Sequence, residues 1–112
     1  MAGVGWILFV LLGVPVGAAA DEAAQNYASF CASCHGPKGK GDGVSGAALP
    51  VKPTSFADPK FWKGKTDAAL KKVIKEGGAA NGMSATMAPW GGILNDDQID
   101  AMVAYLKTLK KK

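Results

Sequence analysis

Apolar residues recur at helical spacing in three stretches of this chain, and segments with no period separate them. Ala23, Tyr27, Phe30 and Cys34 fall at i, i+4, i+7 and i+11, which predicts an amphipathic helix over residues 21–34. Asp21 and Glu22 suit its start, where acidic side chains meet the positive end of the helix dipole. Leu70, Val73 and Ile74 mark a second helix over residues 67–76, with Thr66 as its N-cap and Gly77-Gly78 as its stop. Ile99, Met102, Val103, Leu106 and Leu109 stripe a third, which Asn95 opens with Gln98 as capping-box partner. Asp58-Pro59 predicts a cap and first position for a short turn carrying Phe61 and Trp62. Glycine and proline break the remainder into loops over residues 36–57 and 77–88. No strand-like alternation occurs, so an all-α fold of three to five helices with long loops is expected.

The first twenty residues follow neither pattern. Residues 1–20 carry no charged side chain, and Ala18-Ala19-Ala20 before Asp21 is an A-x-A cleavage pattern. This predicts a secretory signal peptide over residues 1–20 and a domain over residues 21–112. An uncleaved membrane anchor is the competing reading, since about 20 apolar residues can span a bilayer. Gly13, Pro15 and Gly17 weaken a spanning helix and favour cleavage.

Between the first helix and its glycine stop lies Cys31-Ala32-Ser33-Cys34-His35, a C-x-x-C-H pattern for covalent haem attachment. Residues i, i+3 and i+4 share a helix face, so two sulfurs and one imidazole can address one flat ligand. The sulfurs can add to the two vinyl groups of a porphyrin while the histidine reaches the iron. The chain holds 2 cysteines and 1 histidine in all, so nothing else competes for the role. A thioredoxin-like site would need a preceding strand, and a structural zinc site would need about four ligands. A disulfide between Cys31 and Cys34 would leave His35 unexplained. Opposite the histidine, a methionine thioether is the remaining soft ligand: Met83 and Met87 lie in a loop, and Met102 lies in the apolar stripe of the last helix.

The run C-x-x-C-H-G-P-x-G-x-G-D-G from Cys31 to Gly43 resembles the opening of a bacterial class I cytochrome c. Met87-Ala88-Pro89-Trp90-Gly91-Gly92, followed by a capped terminal helix, resembles the family's M-P-x-[FW]-G-G ligand segment, with the proline moved one place. The resemblance implies a cytochrome c fold around one haem c, with Met87 rather than Met83 as the distal ligand. It implies a proline-associated carbonyl, from Pro53 or else Pro50, hydrogen-bonded to the histidine. It also implies Trp90 at the haem edge or ligand loop, although a plain core tryptophan accounts for that residue as well. Ala23, Tyr27 and Tyr105 stand where the family crosses its first and last helices.

The expected function is single-electron transfer as a carrier, not an enzyme, in the bacterial periplasm, and the chain is expected to be a monomer. The alternatives are a haem subunit or tethered component of a larger oxidase or dehydrogenase, or a sensor or peroxidase with an open distal position. Lys and Arg together number 13 against 9 acids, for a net charge of +4. Seven lysines and two acids fall within residues 52–75, so a basic haem rim facing an acidic patch on a redox partner is expected. Absence of arginine and export both argue against nucleic acid. A domain this small buries only about 60–65% of its unfolded surface, so its core needs the cofactor. Replacing both Cys31 and Cys34 by alanine should therefore abolish cooperative thermal unfolding followed by circular dichroism. A sharp transition of native-like stability in that variant would contradict it.

Overall fold

A computed structural model of the chain describes residues 3, 5 and 16–111. Among the described residues five α-helices form in chain order: α1 Val16–Phe30, α2 Ala32–His35, α3 Pro59–Trp62, α4 Asp67–Glu76 and α5 Asp96–Thr108. Single 3-10 turns at Gly46–Ala48 and Ala79–Asn81 interrupt the loops, and no strand occurs among the described residues. The fold is all-α, as the periodicity predicts. The leader expected over residues 1–20 falls largely outside the described residues, among which no helix is long and apolar enough to cross a membrane.

The helix ends follow local chemistry. Asn95 Oδ1 accepts from Gln98 N–H at 2.8 Å while Gln98 Oε1 accepts from Asn95 N–H at 2.8 Å, completing the capping box of α5. Thr66 Oγ1 accepts from Ala69 N–H at 3.1 Å, and Asp58 Oδ1 accepts from Lys60 N–H at 2.9 Å. Gly77 ends α4 at φ 84°, a conformation costly for any residue with a Cβ.

One boundary differs from expectation. Helix α1 is already formed at Val16, upstream of Asp21, because the alanine-rich run propagates the helix at little cost. Asp21 and Glu22 are therefore not at the N-terminus. Glu22 instead accepts from Gln98 Nε2 at 2.8 Å, tying α1 to α5. The same path is also distorted at Cys31, which separates α1 from α2. Helical hydrogen bonds nonetheless continue through it, from Cys31 N–H to the Tyr27 carbonyl and from His35 N–H to the Cys31 carbonyl, both at 2.9 Å.

Helices α1 and α5 cross through Ala23, which is 1% exposed and lets the backbones approach. Beside it the Tyr27 and Tyr105 rings lie 5.3 Å apart. The core comprises Tyr27, Phe56, Leu70, Ile74, Leu94, Ile99, Met102, Val103 and Leu106, so the stripes of α4 and α5 are buried as predicted. Burial pushes the Tyr27 phenol well above its ordinary range, so it stays protonated and donates to the Gly36 carbonyl at 2.6 Å.

Helices α4 and α5 are also laced on their exposed side. Lys71 pairs with Asp100, Lys75 with Asp96, and Lys107 with Asp67, at 2.6–2.9 Å. These pairs lie in water and are weak individually. They do, however, remove Lys71 and Lys75 from the free positive charge expected over residues 52–75.

Met102 is 1% exposed and packs in the core, the role its place in the stripe predicts. Met102→Ala should therefore lower unfolding stability by about 2–5 kcal/mol in urea titrations. A loss below about 1 kcal/mol would show that the α5 stripe is not tightly packed.

Candidate haem site

Cys31, Cys34 and His35 share one helical turn, with Cys34 N–H at 3.2 Å and His35 N–H at 2.9 Å from the Cys31 carbonyl. Both cysteines are free and partly exposed, and His35 is partly exposed with them. A turn this short leaves its last carbonyls without helical partners. The following loop supplies them. Gly41 N–H donates to the His35 carbonyl at 2.7 Å, Gly43 N–H to Cys34 at 3.2 Å, and Ser45 N–H to Ser33 at 2.8 Å.

That docking requires glycine. A Cβ at Gly43 would fall on the Ser33 carbonyl, and one at Gly46 would lie 2.5 Å from the Cys34 carbonyl oxygen. The glycine-rich sequence predicts only a turn here; its structural purpose is close backbone approach to α2.

His35 Nδ1 lies 3.1 Å from the Thr54 carbonyl oxygen. A carbonyl can only accept, so Nδ1 carries the proton and Nε2 keeps its lone pair. This corrects the expectation that Pro53, or Pro50, supplies the carbonyl. The Pro53 carbonyl oxygen is turned toward Gly41, where an added Cβ would meet it at 2.5 Å. Thr54, one residue on, presents its own oxygen to the imidazole. Burial lowers the basicity of His35, and the Thr54 hydrogen bond opposes that shift. Burial, then the neighbouring Cys34, pushes the Cys31 thiol up to about 11.

The methionine segment is held by the end of α4. Gly78 N–H donates to the Met87 carbonyl at 2.9 Å, Trp90 N–H to Ile74 at 2.9 Å, and Gly91 N–H to Lys75 at 3.1 Å. A Cβ at Gly78 would come 3.1 Å from Met87 Cβ, so glycine again permits the approach. Met87 is half-buried, whereas Met83 is 53% exposed. Trp90 packs on Phe30 with ring centroids 5.2 Å apart, which brings the methionine segment against the end of α1 beside Cys31.

Phe56 is the site residue that periodicity misses. It sits in an irregular segment between two prolines, yet it is buried and stacks on His35 at 4.7 Å and 29°. Phe30, Cys31, Phe61, Trp62 and Trp90 are only partly buried around this core. A free thiol pair, an imidazole with an open nitrogen, a half-buried thioether and half-covered aromatic rings fit a large flat apolar group with a metal at its centre.

Comparison with known proteins decides the family. Residues 18–106 match the family described as cytochrome c oxidase, cbb3-type, subunit III. The chain belongs to the cytochrome c family. It is 38% identical over 96 residues to cytochrome c-554(547) of Halothiobacillus neapolitanus, covering 82% of this chain and 100% of that protein. It is 31% identical over 91 residues to the cbb3-type cytochrome c oxidase subunit FixP of Azorhizobium caulinodans, covering 81% of this chain and 27% of FixP. The cytochrome thus spans only about a quarter of that longer relative. The solved structure of the KustC0563 c-type cytochrome aligns with TM-score 0.65 at 25% identity, covering 80% of this chain and 98% of that one. Membership implies covalently bound haem c and a role in electron transfer.

Gly43→Ala should push the loop off α2 and lower stability by about 1–3 kcal/mol. Denaturation of the holo-protein would measure this, and an unchanged midpoint would show that the close approach is not required.

Proposed function

We propose that this cytochrome is an exported single-electron carrier holding one haem c, bonded through Cys31 and Cys34, with His35 and Met87 as its axial ligands. The observation that carries the reading is the Nδ1–Thr54 hydrogen bond, which leaves His35 Nε2 free on the turn that bears both cysteines. Haem c, when bound, supplies a ferric–ferrous couple. His35 donates through Nε2, and the Thr54 carbonyl fixes its ring and raises its donor strength. Met87 contributes a neutral, soft thioether that favours the reduced metal. Trp90 and Phe30 supply apolar surface beside Cys31.

With His35 and Met87 both holding the iron, no coordination site would be left for a substrate, and the protein would act as a carrier rather than an enzyme or sensor. The match to cytochrome c-554(547), covering 82% of this chain and all of that protein, supports a carrier, and a monomer belongs to the same reading. Cleavage after Ala20 and residence in the periplasm, rather than anchoring to the inner membrane, belong to the same reading. Its partners are other redox proteins.

Met87→Ala should abolish the sulfur-to-iron charge-transfer absorption and lower the reduction potential by on the order of 0.1 V or more in a spectro-electrochemical titration. Retention of both properties would transfer the ligand role to Met83. Carbon monoxide binding to the reduced native protein at neutral pH would favour an open-site sensor instead.

A further inference from the structure

Two adjacent glycines follow α4, and the peptide unit between them is held from both sides. Its N–H, on Gly78, donates to the Met87 carbonyl at 2.9 Å. Its carbonyl, on Gly77, accepts from Asn81 Nδ2 at 2.8 Å. A carbonyl can only accept, so the amide nitrogen of Asn81 is the atom that faces it. Nearby carbonyls take backbone donors instead. Val73 takes Gly77 N–H at 2.8 Å, Ile74 takes Trp90 N–H at 2.9 Å, and Lys75 takes Gly91 N–H at 3.1 Å.

The Gly77–Gly78 unit needs such a restraint. Neither residue has a Cβ, so the plane between them can turn with little steric resistance. Packing forbids a larger residue at either position. A Cβ at Gly77 would lie 3.0 Å from the Met87 carbonyl oxygen, and one at Gly78 would fall on the Ser84 carbonyl. In a trans peptide the C=O and N–H point in opposite directions, so turning this plane breaks both of its hydrogen bonds together. Asn81 is itself well fixed, at the end of the 3-10 turn Ala79–Asn81. Its N–H donates to the Gly78 carbonyl at 3.0 Å, and Met83 N–H donates to the same oxygen at 2.8 Å. Its side chain is half-buried, which partly shields the bond from competing water.

We propose that Asn81 is a positioning residue whose amide locks the Gly77–Gly78 peptide plane and thereby holds Met87 on the iron. The second half of this proposal rests on the reading of Met87 as the distal ligand; the lock itself does not. Other polar side chains of the loop are engaged elsewhere. Ser84 Oγ and Thr86 Oγ1 bond each other at 2.6 Å, and Ser84 Oγ also accepts from Thr86 N–H at 3.3 Å. Loss of the lock raises the population in which the loop has opened. An external ligand for the iron then gains affinity in proportion.

Two measurements test this on the holo-protein. The first is amide hydrogen exchange by NMR on nitrogen-15-labelled, reduced protein. Exchange in N81A should quicken about tenfold more at Gly78 than at Met102 in α5. The second is imidazole binding to the ferric protein, whose apparent affinity should rise about tenfold in N81A. N81D, nearly isosteric but without a donor once ionised, should match N81A in both. A80G softens the same turn at an exposed position and keeps the donor, so it should change the imidazole affinity by less than about twofold. Equal quickening at both amides, or an affinity gain in A80G as large as that in N81A, overturns the lock. Suppose Gly78 exchange quickens while imidazole affinity is unchanged. If Met87→Ala abolishes the sulfur-to-iron absorption, that result overturns the proposed hold on Met87. If Met87→Ala retains the absorption, it supports the lock and overturns the ligand reading alone.

Discussion

The carbonyl groups at the end of α2 must find donors, and the loop that follows meets that need by lying directly on the helix end. Gly41, Gly43 and Ser45 donate to the carbonyls of His35, Cys34 and Ser33, and this contact is possible only where side chains are absent at Gly43 and Gly46. The rest of the site depends on it. With the loop seated there, the returning chain passes Gly41 closely enough to bring the Thr54 carbonyl to His35 and the Phe56 ring onto the imidazole. A backbone requirement thus becomes a side-chain arrangement: one nitrogen of His35 is occupied and the other is left to act.

A second support comes from the helices. The crossing of α1 and α5 at Ala23 builds the core, and the Tyr27 hydroxyl ties that core to Gly36 where the glycine loop begins. The end of α4 holds the Met87 segment through backbone hydrogen bonds alone, so its position does not depend on the identity of most loop side chains. Trp90 on Phe30 then joins the two halves beside Cys31. On the exposed side, ion pairs between α4 and α5 engage Lys71, Lys75 and Lys107.

Much of this was legible in the residues. The five-residue Cys31–His35 motif carries its own geometry, because helical spacing alone puts three reactive groups on one face. The caps at Thr66 and Asn95 act within three residues and were equally readable. The reach of α1 upstream of Asp21 was not, since alanine propagates a helix without a sharp boundary. Phe56, Thr54 and Leu94 escaped because they sit in segments without period, where burial is decided by what arrives from elsewhere in the chain. The Pro53 expectation missed by one residue, and one residue reverses the direction of a carbonyl in an extended segment.

By itself, then, the sequence determined the candidate haem-binding turn, the helical class, the helix faces and the two loop methionines as candidate ligands, all consequences of contacts within about one or two helical turns. Only the tertiary structure decided that Thr54 orients His35, that Met83 faces solvent while Met87 is half-buried, and which lysines are left unpaired. Each of these rests on groups distant along the chain, and linear spacing carries no information about which distant groups the packed core brings together.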